Sequence, residues 1–246
     1  MIKMSQKSER RKMEMWNTHE YEFVPGTILD RKTGRRIFIK NILAVGAFAL
    51  GMRLPIIERV SGAVAYWDTP PYTYYYSEKS SSGWAGANVS QDPETGKILM
   101  DCYANAWGSA YAMAYYDTNY AYPANKNDYV TFAGELKLDG YLTATGNAGS
   151  TLEIWVIGAS SNPDIGVLFE EKDKSYSGPD TWNNSIVNVS YVYQVPATDY
   201  YWTQIKVVTD DWAYYIPNQS NYASTKFTGS NANNEGIWVN KIGVIV

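Results

Sequence analysis

After residue 66 the chain repeatedly breaks into runs with a period of two. In residues 186–195, Val187, Val189, Tyr191, Tyr193 and Val195 alternate with Asn188, Ser190 and Gln194. Successive strand side chains point to opposite faces, so this pattern buries one face and wets the other. Residues 129–142 place Phe132, Leu136 and Leu138 on one side and Thr131, Glu135, Lys137 and Asp139 on the other. Residues 151–157 set Leu152, Ile154 and Val156 against Glu153 and Trp155. Residues 200–209 set Ile205 and Val207 against Trp202, Gln204 and Lys206. Nothing in this region carries apolar residues at helical spacing.

Other strand-like runs complete the pattern. Residues 86–91 and 97–103 flank Asp92-Pro93-Glu94-Thr95-Gly96, with Pro and Gly placed for a hairpin turn. Residues 110–116, in which Ala alternates with Tyr111, Met113 and Tyr115, form another run, and 165–171 a further one. A short strand surrounds Phe227, and the apolar stretch 236–246 suits the middle of a sheet. Nine or ten such runs predict an all-β domain, a two-sheet antiparallel β-sandwich or jelly roll. Asn162-Pro163-Asp164 and residues 172–184 and 218–221 read as loops. Residues 66–82, rich in Pro, Tyr and Ser, read as an extended arm.

The first 65 residues have a different character. They hold every arginine and the one histidine, His19. Arg35 and Arg36 are followed by Phe38 and Lys40, then by the mildly apolar run 42–50 and the small-residue tripeptide Ala63-Val64-Ala65. The run is too short to span a bilayer, which takes roughly 20 apolar residues. A basic front, a short apolar stretch and a small-residue cleavage site are the parts of an export signal. This stretch resembles a twin-arginine (Tat) signal peptide, with Gly34 where that family more often has a small hydroxyl residue. The resemblance implies a signal-peptide helix ahead of the sandwich and the Tat translocase as a transient partner. It also implies cleavage between Ala65 and Tyr66 and an extracytoplasmic product. The expected organisation is therefore a leader over 1–65 and a single domain over 66–246.

The expected product carries nine lysines against twelve aspartates and seven glutamates, a formal charge of −10. Such a surface repels phosphate backbones, which argues against nucleic acid as a partner. Its single cysteine, Cys102, has no internal disulfide partner. Without histidine the domain has no His-based triad and no usual zinc or copper ligand set, leaving oxygen ligands and calcium. Asp210-Asp211, or Glu170-Glu171 with Asp173, are the weak calcium candidates; no other cofactor is expected.

Residues 66–246 also hold 21 tyrosines and 8 tryptophans but only three phenylalanines. Tyr and Trp join an apolar ring to a polar handle, which suits half-wet surfaces and stacking on sugar rings. Trp155 and Trp202 fall on the polar side of their strands beside Glu153 and Gln204. These four are the expected binding residues for a glycan or another extracellular polymer. A second reading is a cell-surface or self-assembling subunit that docks like copies through strand edges. A third is catalytic. The run Leu152-Glu153-Ile154-Trp155-Val156-Ile157, followed by Pro163-Asp164-Ile165-Gly166, resembles the nucleophile strand of family 12 glycoside hydrolases. That resemblance implies a second carboxyl facing Glu153, for which Glu235 and Glu135 are the candidates.

Overall fold

The computed structural model describes residues 63–228 and 235–246. Arg35, Arg36, Phe38 and Lys40 therefore lie outside the described residues. Among the described residues the chain forms thirteen strands. They are β1 (Ala65–Asp68), β2 (Tyr75–Ser82), β3 (Ala85–Asp92), β4 (Lys97–Asn105), β5 (Gly108–Asp117), β6 (Tyr122–Ala124) and β7 (Tyr129–Thr145). These are followed by β8 (Ala148–Ser160), β9 (Val167–Ser177), β10 (Asp180–Gln194), β11 (Asp199–Ala213), β12 (Tyr222–Phe227) and β13 (Gly236–Ile245). The fold is all-β, as the alternation predicts, in two antiparallel sheets. One is seven-stranded, ordered β1-β13-β4-β12-β7-β10 with β3 beside β4. The other is six-stranded, ordered β2-β5-β11-β8-β9 with β6 beside β11.

Two expectations fail. Residues 66–82 are not an arm: they supply β1 to one sheet and β2 to the other. The Pro, Tyr and Ser content that suggested an arm belongs to the crossing between sheets and to the exposed edge strand β2. Residues 172–184 are not a loop but the end of β9 and the start of β10, joined across the sheets by Gly178 and Pro179. Their charges misled because β9 lies at a sheet edge and shows water much of its surface. The apolar stretch 236–246 pairs with β1, β4 and β7, as an interior strand should. Ala65 and Tyr66, on either side of the expected cleavage point, pair with Ile245 and Val244. Ala63 precedes them, and Val64 exchanges both backbone bonds with Val246.

The interior has two characters. Through most of the sandwich it is aliphatic and aromatic, with Phe132, Leu136, Leu138, Leu152, Ile154, Ile205 and Phe227 fully buried. Toward one end it becomes small and polar. There Cys102, Ala104, Ala110, Ala112, Ala213 and Ala223 surround buried Ser150, Thr209, Asp211 and Thr225. The Asp211 carboxylate accepts bonds from the Thr225 N–H at 2.8 Å and the Thr225 hydroxyl at 2.9 Å. The Ser150 and Thr225 hydroxyls meet at 3.0 Å, so these buried polar groups are mutually satisfied.

Four connections leave the sandwich at this end, and each crosses from one sheet to the other. They are Gly83-Trp84, Ala106-Trp107, Gly146-Asn147 and residues 214–221. The register confirms that they share an end: Ser82 faces Ser109, Gly108 and Ala148 face Ala213, and Asn105 and Thr145 face Tyr222.

Candidate binding face of the six-stranded sheet

Because β2, β5, β11, β8 and β9 run side by side, one row of outward residues crosses all five. It reads Tyr76, Tyr115, Lys206, Trp155, Lys172. At a strand spacing of about 4.8 Å the row spans about 19 Å. Asp117, Gln204, Ile157 and Glu170 form the row on one side, with Trp202 beyond. Glu78, Met113, Val208 and Glu153 form the row on the other.

The four residues expected from sequence are thus brought onto one face. Glu153, Trp155, Trp202 and Gln204 all point away from the core, since their strand neighbours Leu152, Ile154, Val156, Thr203 and Ile205 are buried. Trp155 and Trp202 lie on the polar side as expected but are half-buried rather than fully exposed. Outward tryptophans on adjacent strands lie among long neighbours that cover much of each ring. The Trp155 indole donates to Glu153 Oε2 at 3.1 Å, and Glu153 Oε1 takes the Lys172 ammonium at 2.7 Å. Lys206 stands 4.7 Å and Lys172 5.5 Å from the Trp155 ring centre, within cation–π range. Lys206 is in turn paired with Glu170. The Trp202 indole N–H is buried without an acceptor among the described residues.

Sequence reasoning missed the other half of the face. Tyr76 is 48% exposed and packs on Tyr115 with ring centres 5.7 Å apart. Its hydroxyl donates to Glu78 at 3.3 Å. Asp117 accepts a 2.7 Å bond from the Gln204 amide. Burial pushes the Asp117 carboxyl up to about 7, against the lowering effect of that bond. The alternation in residues 110–116 did carry Tyr115, but Tyr76 was hidden in the supposed arm.

The catalytic candidates do not converge. Glu235 immediately precedes β13, in the other sheet from Glu153. Glu135 lies on β7 of that sheet and pairs with Lys241 at 3.0 Å. The carboxyl that feels the charge of Glu153 is Asp210, one row further along β11. Burial chiefly, and Glu153 secondarily, raise it. The calcium candidates also separate. Asp210 points outward and Asp211 inward, so the two cannot share an ion. Asp173 holds Lys174 at 3.0 Å, and Glu170 holds Lys206. Among the described residues no group of three or more His, Cys, Asp or Glu side chains could hold a metal. The buried Cys102 thiol is pushed up to about 12 by its burial, which leaves it without nucleophilic character near neutrality.

No protein-family model matches the chain, and no curated protein matches it in sequence. Comparison with solved structures finds likenesses in fold. One is the enzymatically active domain of bacteriophage CBA120 tailspike protein 4, at 10% identity and a TM-score of 0.24; the match covers 67% of this chain but only 19% of that one. Another is a family 11 carbohydrate-binding module from Clostridium thermocellum, in complex with a β-1,3-1,4-mixed-linked tetrasaccharide. It matches at 13% identity and a TM-score of 0.25 over 68% of this chain and 87% of that one. A third is a xylan-binding domain from Paenibacillus barcinonensis, at 12% identity and a TM-score of 0.18 over 66% and 85%.

Proposed function

We propose that the outer face of the six-stranded sheet binds a neutral polysaccharide without acting on it, the sugar chain lying across the strands. The observation that carries this reading is the row Tyr76, Tyr115, Lys206, Trp155, Lys172. It sets aromatic rings of β5 and β8 two strand spacings apart, about 10 Å, along a line of five strands. Rings at that interval can stack on alternate sugars of an extended chain. The Asp117–Gln204 pair beside the row presents hydrogen-bonding groups to hydroxyls. Lys172 and Lys206 are each neutralised by a glutamate, and residues 66–246 carry a net −10, so polyanions are disfavoured. The supporting setting is export through the leader over 1–65, which would bring the face to polymers outside the cytoplasm.

Native affinity electrophoresis tests this. The full chain should be slowed by at least one neutral polysaccharide among β-glucan, xylan, mannan and galactan, and Tyr76→Ala with Trp155→Ala should weaken the retardation. Retardation by none of them, or retardation unchanged in the double variant, removes the proposal. The export reading has its own test: N-terminal sequencing of secreted protein should begin at Tyr66.

A further inference from the structure

We infer that the chain carries a second, end-on site for a neutral oligosaccharide, built by the crossing loops at the small-residue end of the sandwich. This inference does not need the sheet-face reading. None of the four loops contains Asp, Glu, Lys or Arg, although residues 66–246 hold 28 such residues. In their place stand large exposed rings. Trp84 is 75% exposed and Trp107 69%, and Tyr214 and Tyr215 are each more than half exposed. Single exposed aromatics are ordinary, but four on adjoining loops of one tip form a patch.

The tip is built rather than incidental. Trp107 has φ 62, a left-handed conformation that strains a bulky residue and that glycine would adopt freely. Strain of this kind persists where the surroundings fix it. Here the Asn105 N–H donates to the Trp84 carbonyl at 2.8 Å and ties the two tryptophan loops together. Gly83, at φ 68, allows that approach: a Cβ there would lie 1.9 Å from the Trp107 carbonyl oxygen. The Tyr214 N–H donates to the Asn147 carbonyl at 3.0 Å, and Asn147 N–H to the Asn221 side chain at 2.7 Å, which fixes the third and fourth loops to each other. The Trp107 and Tyr215 rings lie 19° from parallel with centres 6.1 Å apart.

The chemistry selects the occupant. The exposed faces of the Trp84 and Trp107 indoles suit stacking on the C–H faces of sugars. Asn218, Gln219 and Ser220, between the tyrosines and β12, supply donors and acceptors without charge. A polyanion would be repelled by the rest of the domain. A bilayer would have to desolvate those amides, which is costly without partners. From Tyr76 to Ser82 the chain advances six residues, about 20 Å along the sheet, so the tip and the sheet face are separate places.

The test is fluorine NMR on the full chain labelled with 5-fluorotryptophan, with Trp84→Phe and Trp107→Phe assigning the two tip resonances. The probes are the hexaoses of β-1,4-linked glucose, xylose, mannose and galactose, and phosphatidylcholine vesicles. At least one hexaose should move both tip resonances saturably. The movement should persist in Tyr76→Ala with Trp155→Ala, which removes the face, and Tyr215→Ala should weaken it about tenfold. A tip that answers no hexaose at millimolar concentration refutes the site. So does a tip that answers only vesicles, that shifts on dilution without sugar, or that falls silent in the face variant. Failure of the face alone would leave the tip response intact, so the two readings fail separately.

Discussion

Asp211→Asn should stabilise the domain at neutral pH and do little in acid. Asp211 is fully buried, and burial pushes its carboxyl from 3.8 up to about 6, against the bonds from Ser150 and Thr225 that favour the anion. A carboxyl raised in the folded state holds its proton more tightly there than in the unfolded chain. Its contribution is therefore most favourable below pH 3.8 and is lost as pH rises toward about 6. At about 1.4 kcal/mol per pH unit, the loss at pH 7 is about 3 kcal/mol. Asparagine carries no charge to desolvate. Its oxygen can take the Thr225 N–H, and its amide can donate to the Thr225 hydroxyl, which turns to donate to Ser150 3.0 Å away. A fraction of the gain goes to imperfect geometry, so about 1–3 kcal/mol at pH 7 is the expected net effect. Urea denaturation of both proteins from pH 4 to pH 8 reads this directly. The wild-type midpoint should fall as pH rises to about 7, and the variant should lose the part of that slope that ends near 6. If Asp211→Asn is less stable than wild type at every pH, or keeps the full slope, the buried-charge reasoning is wrong.

Asp117 is raised by burial in the same direction, to about 7, so Asp117→Asn should bring the upper limit of the pH-dependent loss down toward 6 in the same titration. Leu152→Ala, at a fully buried position between the sheets, should cost about 3–5 kcal/mol in urea denaturation. Ala223→Leu would force a larger side chain into the small-residue end of the interior. It should lose about 1–3 kcal/mol and displace the Trp84 and Trp107 fluorine resonances, whereas Leu152→Ala should leave those resonances in place. Glu153→Gln breaks a partly exposed ion pair with Lys172, so stability should change by less than about 1 kcal/mol while polysaccharide retardation weakens.

Strand identity and facing were legible in the sequence wherever one face is apolar and the other wet. Residues 129–142, 151–157 and 200–209 became the cores of β7, β8 and β11 with the expected inward sets. For the same reason Glu153, Trp155, Trp202 and Gln204 share a face. Edge strands defeated the reading. β2 is exposed along nearly its whole length and β9 along much of it, so neither has an apolar set to betray a period. Tyr76 was lost with β2. The tip was illegible for another reason: Trp84, Trp107 and Tyr215 come from three loops, and only the sheet crossings bring them together. Their lack of charge could be read one loop at a time, but their meeting depends on strand order.

The small interior and the aromatic tip have one cause. A two-residue crossing spans three Cα–Cα steps, about 11 Å when fully extended. Packed sheets usually stand about 10 Å apart, and the chain must also reverse direction as it crosses. Three of the four connections at this end are only two residues long, so the sheets must approach closely there. Alanine at 104, 110, 112, 213 and 223 removes the side-chain bulk that would hold them apart. Close approach also leaves no room for large apolar residues, and the remaining space is filled by hydroxyls and one carboxylate that satisfy each other. The polar network around Asp211 is thus the interior consequence of the short crossings, and the convergence of Trp84, Trp107 and Tyr215 is the exterior one. Widening the interior at Ala223 must therefore lengthen the path the two-residue loops have to bridge and separate the tryptophans. A substitution in the aliphatic part of the core, where no short crossing depends on the spacing, has no such route to the tip.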